Sequence, residues 1–318
     1  MQKIDILYTT DHTYIRYMLI SLYSLLENNP HLDITVHIIH NNFDQNDYKI
    51  IENITTQFGN VNIEFYDFAK IEGLIDKYNI PTWRGTKMAN ARLFFTHYIK
   101  DVDKLLYLDS DTVVMSSLSD LDYYTQTIHM VQDSMPKKHW KNLKIELEKY
   151  YNSGVLWIDV NKWKESDCDQ KILSILDSNI PYIFPDQDLL NMALKDEIAS
   201  LPPEYNLFST DAYYNSTLLY KYYKQSGIER YTKDEMATAK KNPIILHSTP
   251  FYDWTALDAN SIHPYNHIYD EYLYKIYGKV DKDSCSKIPN PFLFKLFLYS
   301  KLICPQEIKN TIKKYIKK

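Results

Sequence analysis

Two aspartates stand two positions apart at the end of an apolar run, Lys104-Leu105-Leu106-Tyr107-Leu108-Asp109-Ser110-Asp111-Thr112-Val113-Val114. Side chains alternate along a strand, so Asp109 and Asp111 share a side if the pleat continues past Leu108. Two hard oxygen ligands held close together suit a divalent cation such as Mn²⁺ or Mg²⁺. The carboxyl end of a strand in an α/β sheet is also where ligands bind. A plain turn would use the same residue types, so other parts of the chain must decide.

Four further features bear on that choice. His247 follows Ile244-Ile245-Leu246 and so ends another apolar strand. Asn152-Ser153-Gly154 precedes a strand, Asp186-Gln187-Asp188 opens a helix, and Arg92 lies on a helix before Asp109. Taken singly, these read as a structural histidine, a turn, N-terminal capping and a surface cation. Taken together they say more. Two carboxylates and a histidine could give three ligands to one octahedral metal, with diphosphate oxygens completing the shell. Arg92 could fork phosphate or sugar oxygens. Asp11 and Tyr14 follow the first strand, where a base is read in a doubly wound sheet.

The elements that must position these groups are legible from periodicity. Strands are expected at 4–9, 34–40, 61–66, 104–108, 128–132, 154–160, 198–201 and 242–247. Helices are expected at 14–27, from Asp44 with Asp47 three residues on, at 88–98, over 163–176 with Asn161 as N-cap, and from Pro185. Strands separated by helices predict an α/β fold with a doubly wound, mostly parallel sheet. Residues 207–240 are tyrosine-rich. Tyr213, Tyr214, Tyr220, Tyr222 and Tyr223 would line an acceptor cleft or belong to a packed helical lid.

Composition narrows the class. The net charge of −5 argues against a general nucleic-acid binder. The chain opens directly into a strand, and no run of 18 apolar residues occurs, so no leader and no span are expected. Cys168, Cys285 and Cys304 read as reduced thiols of a cytosolic protein. From Lys287 onward there are eight lysines against one glutamate, so this tail carries about +7 and the rest about −12. Its aromatics and lysines interleave over 291–303, which suits an anionic membrane surface. The expected division is a catalytic domain over 1–265 and a basic, membrane-associating helical tail over 266–318.

The motifs resemble glycosyltransferase family eight, which includes glycogenin and the bacterial lipopolysaccharide galactosyl- and glucosyltransferases. The resemblance runs over about residues 3–254. It rests on Thr10-Asp11, Ala91-Arg92-Leu93 before Tyr107-Leu108-Asp109-Ser110-Asp111, and Tyr151-Asn152-Ser153-Gly154-Val155-Leu156. It rests also on Asp186-Gln187-Asp188-Leu189-Leu190-Asn191, Leu201-Pro202 with Tyr205-Asn206, and His247. It implies a GT-A fold with one nucleotide-sugar-binding domain, a UDP-sugar donor, Mn²⁺ (Mg²⁺ as a substitute) and retention of configuration. By position, Asp109, Asp111 and His247 match the metal ligands. Asp11 and Tyr14, next to Thr10, match the uracil contacts, and Ser110 lies between the two metal-binding aspartates. Arg92, Asp133, Asn152, Asp186 and Gln187 match residues around the donor sugar. The acceptor would be a glycan, glycolipid or glycoprotein, reached from the inner face of the membrane.

One departure concerns the diphosphate. Relatives usually follow the histidine with a glycine and then Lys-Pro-Trp. Here the segment reads His247-Ser248-Thr249-Pro250-Phe251-Tyr252-Asp253-Trp254. Without that lysine another cation has to serve, and Arg84 and Lys87 of the Trp83-Arg84-Gly85-Thr86-Lys87 loop are the candidates. Two rival readings exist. A non-catalytic relative would bind nucleotide sugar or glycan only. An aspartate phosphatase of the haloacid-dehalogenase type shares the first motif but needs a later Gly-Asp pair that this chain lacks.

Overall fold

A computed structural model describes residues 1–143, 146–178, 180, 182–228, 230–250, 255–259, 261–282 and 299. Its strands are β1 (Gln2–Asp11), β2 (Leu32–Asn41), β3 (Val61–Asp67), β4 (Lys104–Leu108), β5 (Thr112–Val114), β6 (Ile128–Gln132), β7 (Tyr151–Asp159), β8 (Ile198–Ser200), β9 (Leu207–Phe208) and β10 (Ile245–His247). The first six helices are α1 (Ile15–Asn28), α2 (Gln45–Thr55), α3 (Ala69–Lys77), α4 (Lys137–Asn142), α5 (Val160–Glu165) and α6 (Cys168–Asp177). Those that follow are α7 (Pro185–Ala193), α8 (Ser209–Tyr213), α9 (Ser216–Gln225), α10 (Lys233–Lys241) and α11 (Asn266–Tyr277).

Seven strands form one sheet in the order β3-β2-β1-β4-β7-β6-β8, and β5-β10-β9 form a small second sheet. The pairs β3-β2, β2-β1, β1-β4 and β6-β8 are parallel, while β7 runs antiparallel to both β4 and β6. The sheet is therefore mixed and mostly parallel. Both of its faces are covered, as parallel strands require. Along β4, Leu106 and Leu108 join the core under α1, and Leu105 and Tyr107 join the core under α3, α6 and α7. That alternation is the period of two expressed as two separate cores.

Local chemistry fixes several boundaries. Asp44 caps α2 with a reciprocal box: its carboxylate accepts from the Asp47 amide, and the Asp47 carboxylate accepts from the Asp44 amide. Such a cap is worth about 1 kcal/mol. The strand predicted from Gly154 begins at Tyr151. The helix after it is capped by Asp159, whose carboxylate accepts from Lys162 N, and not by Asn161, which donates to Asp103. The single helix expected over 163–176 is two helices, because Asp167 takes a left-handed conformation (φ 52°) between them. The helix expected over 88–98 is a 3₁₀ helix, Met88–His97, kinked at Phe94.

Cys168 is a buried free thiol, with its pKa pushed up to about 12 by that burial. Helix α11 packs on α1, and its Tyr269, Tyr272 and Leu273 enter the same core. The basic aromatic run at 291–303 and the lysines after it lie outside the described residues, apart from 299. Among the described residues no helix is long and apolar enough to cross a membrane.

Candidate active site

The pleat ends at Leu108, so period two does not bring the two aspartates together. A turn does. Thr112 N donates to Asp109 O (3.1 Å), and the Thr112 hydroxyl donates to the same carbonyl (2.8 Å). The chain then changes sheets and enters β5, which pairs antiparallel with β10 in a register that sets His247 opposite Thr112. As a result His247 Nε2 lies 3.3 Å from Asp111 Oδ1 and 3.6 Å from Asp109 Oδ2. Ligand atoms of all three residues fall within 4.8 Å of one another.

Three observations test whether this trio suits a metal ion. Gly154 faces the trio, and a Cβ there would stand 2.3 Å from His247 Cε1 and 2.7 Å from Asp109 Oδ2. Only glycine leaves that space. His247 Nδ1 lies 2.8 Å from Asn206 Oδ1, an oxygen that can only accept. The proton is therefore on Nδ1, and Nε2 keeps a lone pair toward the aspartates, as outer partners of metal-bound histidines arrange. Asn206 is itself oriented, because its amide donates to Asn152 Oδ1 (2.9 Å). Burial, the largest influence, disfavours the Asp111 carboxylate, but when His247 is protonated on both nitrogens its hydrogen bond and charge, with the charge of Arg84, together outweigh burial and hold the pKa below the ordinary carboxylate value. The residues fit a divalent cation.

Arg92 reinforces the trio from beneath. It is buried, with Nη2 2.7 Å from Asp109 Oδ1 and Nε 3.2 Å from Asp186 Oδ2, and it donates from Nη1 to Ser153 O (2.6 Å). Burial works against its charge, yet Asp109, Tyr107 and Asp186 keep its pKa above the ordinary value. For Asp186, burial wins over Arg92 and raises the pKa. Arg92 thus orients two carboxylates and is not an open fork for an incoming anion.

A cavity of about 690 Å³ opens above Asp109 and Asp111. Thr10, Asp11, Tyr14, Arg92 and Ser110 also line it, so these predicted residues converge. Asp11 Oδ1 accepts from the amides of Thr13 (3.0 Å) and Tyr14 (3.1 Å) and from the Thr13 hydroxyl (2.6 Å). Among the described residues its other oxygen meets only the Thr86 hydroxyl, at 3.4 Å. One face of the Tyr14 ring stacks on Tyr17 (4.6 Å), and its hydroxyl donates to Asp111 Oδ2 (3.3 Å). Thr10 and Ser110 are buried and bond weakly to backbone carbonyls, 3.4 Å each.

The loop after α3 reaches over the same cavity. Trp83 and Thr86 exchange backbone bonds (2.9 and 3.0 Å) across a two-residue turn, with Arg84 at φ 50° and Gly85 at φ 84°. Two consecutive positive φ values make a type I′ turn, and an arginine in that region is strained. Trp83 packs on Phe184 at the start of α7 (5.1 Å). The two candidate cations then part company. Lys87 pairs with Asp76 (2.6 Å) and Glu72 (3.1 Å). Arg84 is exposed at the tip, lines the cavity and has no carboxylate partner among the described residues.

Asp133, Asn152 and Gln187 form a second polar cluster and are not among the residues that line the cavity. Gln187 Oε1 accepts from Asn152 Nδ2 (3.0 Å) and Ser153 N (3.2 Å), while Gln187 Nε2 donates to Asp133 Oδ2 (3.1 Å). The backbone donor on one side and the carboxylate on the other fix the amide's orientation. Asn152 also donates to Asp133 Oδ2 (3.2 Å). Asp188 is fully buried and holds the start of α7 by accepting from the amides of Ile183 and Phe184, from His139 and from the Tyr150 hydroxyl. Sequence reasoning left Asn206 without a role. It stands in the Tyr205-Asn206 motif, which gave it no task. Residues 251–254 lie outside the described residues.

Comparisons with known proteins agree with this arrangement. Residues 5–250 match the family described as Glycosyl transferase family 8. A putative glycosyltransferase of Haemophilus influenzae is 29% identical over 223 residues, 66% of this chain and 65% of that protein. General stress protein A of Bacillus subtilis is 26% identical over 293 residues, 86% of this chain and 95% of that protein. A lipopolysaccharide 1,2-glucosyltransferase of Escherichia coli K12 is 27% identical and covers 65% of this chain. The chain spans just under two thirds of the length of the first and third of these relatives. Among solved structures, galactosyltransferase LgtC in complex with donor and acceptor sugar analogues superposes with a TM-score of 0.67 at 19% identity, over 88% of this chain and 98% of that one. Mouse xyloside xylosyltransferase 1 gives 0.55 at 13% identity, over 78% of this chain and 97% of that one. These likenesses give the chain a GT-A-like fold.

Proposed function

The chain belongs to glycosyltransferase family 8, and on that premise we propose that it moves a hexose from a UDP-sugar to a surface glycan, glycolipid or glycoprotein, forming an α-linkage with retention. The hexose is galactose or glucose. One observation carries the reading. The trio Asp109, Asp111 and His247 is joined through Asn206 and Asn152 to the amide of Gln187, so ion site and sugar site share one hydrogen-bonded frame.

Asp109, Asp111 and His247 would hold Mn²⁺ or Mg²⁺, whose charge offsets that of the departing diphosphate. The protein's own residues do the rest. Asp11 Oδ2, the oxygen not engaged by its own loop, accepts from the uracil, and the free face of Tyr14 stacks on the base. Arg84 takes the diphosphate in place of the family's lysine, since Lys87 is engaged by two carboxylates. Gln187 Oε1 already accepts two hydrogen bonds, which favours a front-face displacement over attack by this amide. In that route the acceptor oxygen bonds to the anomeric carbon as the carbon–phosphate oxygen bond breaks. The acceptor's proton passes to a phosphate oxygen of the leaving UDP. The Gln187 dipole and the Asp133 carboxylate stabilise the positive charge that builds on the sugar. The basic aromatic tail serves as a contact with the inner face of the membrane, and its support is the lysine and aromatic pattern of the sequence.

The test is release of UDP from a panel of nucleotide sugars, headed by UDP-galactose and UDP-glucose, with and without Mn²⁺. Slow metal-dependent release from one of them, abolished in Asp109→Asn, is the expected result. UDP binding without turnover of any donor would instead select the binding-only reading.

A further inference from the structure

A second buried arginine, Arg230, stands between α9 and α10, in the tyrosine-rich region whose sequence has only weak periodicity. Its side chain is 2% exposed. Nη1 bonds both oxygens of the equally buried Asp211, at 3.0 and 3.1 Å. Its guanidinium lies over the rings of Phe208 (5.0 Å) and Tyr223 (5.6 Å), and Tyr223 donates to Asp211 as well. A salt bridge so deep needs a reason, because desolvating two charges opposes its formation.

The reason lies in what else Arg230 holds. Its Nε donates to Gln132 O (2.9 Å), and the hydroxyl of the next residue, Tyr231, accepts from Gln132 N (3.0 Å). Both backbone groups of Gln132 are thus taken by one short segment. Gln132 sits where the β6-β7 register shifts, between Met130 and Gln132. Such irregularities re-aim the side chains that follow. The next side chain is Asp133, which receives Gln187 and Asn152. Asp133 is also within electrostatic reach of Arg230. Arg230 Nη2 is buried without a hydrogen-bond partner among the described residues, so not all of this guanidinium serves the pair with Asp211.

We propose that Arg230 is a positioning residue, which grips the backbone of Gln132 and so aims Asp133 at the hexose of the donor. This inference rests on the proposed function for the identity of that ligand. It also ties the helical cap (α8, α9) to the sugar site, so Asp211 and Tyr223 act through Arg230 and not on substrate.

Arg230→Lys is the informative variant. It keeps the charge beside Asp211 and loses the bond to Gln132 O. Tyr231→Phe removes the other bond to Gln132 while keeping the ring. Two readouts separate this inference from the reading beneath it. In the ligand-free protein, amide exchange over 132–134 should quicken about tenfold in each variant, with the melting temperature within a few degrees of wild type. Unchanged exchange there, or an equal rise across the whole chain, overturns the grip. With Mg²⁺ present, calorimetry should show UDP binding unchanged, while the extra affinity of UDP-galactose or UDP-glucose over UDP falls about tenfold. Loss of that extra affinity together with UDP affinity marks a general structural effect and overturns the positioning role. If wild-type protein binds neither UDP nor UDP-hexose, the proposed function fails, and with it the donor hexose as the target of Asp133. Exchange at 132–134 still decides whether Arg230 grips Gln132.

Discussion

Asp11 and Asp133 are both carboxylates just at or past a strand end, one lining the cavity and the other in the polar cluster of Gln187, and they are held by different means. Asp11 is fixed by its own loop, through bonds to residues two and three positions away. Asp133 is fixed by amides 19 and 54 positions away, on β7 and α7. Around Asp11 the neighbours Tyr14 and Arg84 are exposed, whereas Gln187 is buried. The proposed nucleotide end is thus an open wall with local supports, and the proposed sugar end is a closed network with distant ones. A closed, preorganised network acts on the transition state, where reorganisation would otherwise be needed. An open wall binds ground state and transition state alike and acts on affinity.

The contrast can be broken at its shared centre or sharpened at either end. Gly154→Ala should have the largest effect, because the new Cβ would overlap His247 and Asp109. Metal-dependent turnover should fall by at least about 100-fold, with metal affinity measured by titration falling alongside it. Gln187→Ala comes next. It leaves Asn152 and Ser153 without their shared acceptor, and kcat should drop on the order of 100-fold while UDP affinity stays within a factor of two or so. Asn206→Ala frees His247 Nδ1, and metal affinity should fall about 10-fold or somewhat more, with donor selectivity unchanged. Arg84→Gly should be the mildest. Donor KM should rise roughly tenfold with kcat nearly constant, and thermal stability should increase slightly, by up to about 1 kcal/mol, as the positive φ ceases to be strained. A kcat effect from Arg84→Gly as large as that from Gln187→Ala would erase the distinction between the two ends.

The same contrast explains what could be read from the sequence. The Asp44 box and the strand ending at Leu108 depend on neighbours within a few residues, and periodicity and capping patterns expose them. The mostly parallel sheet followed for the same reason. The antiparallel insertion of β7 between β4 and β6 did not, because pairing partners lie far apart in the chain. Asp109 and Asp111 were rightly grouped, but for a reason the structure replaces: a turn, not a continued pleat, brings them together. The pairing of Arg92 with Asp109 and Asp186 was not legible, since these partners flank it only in three dimensions. Asn206 and Arg230 carry no motif-level signal strong enough to assign them a task. Each acts by holding another residue in place.

The switch of sheets at Asp111 has a consequence for how the chain folds. Tyr269, 158 positions away, donates to the backbone carbonyl of Asp111, and Ser248 N bonds the same oxygen. Contacts of such high sequence separation close late, because loop-closure entropy must be met before they add stability. The early βα units can assemble with Asp109 and Asp111 in place but with no histidine opposite them. Only when β10 and α11 dock does the third ligand arrive. Any ion affinity of the trio would therefore be a property of the finished fold.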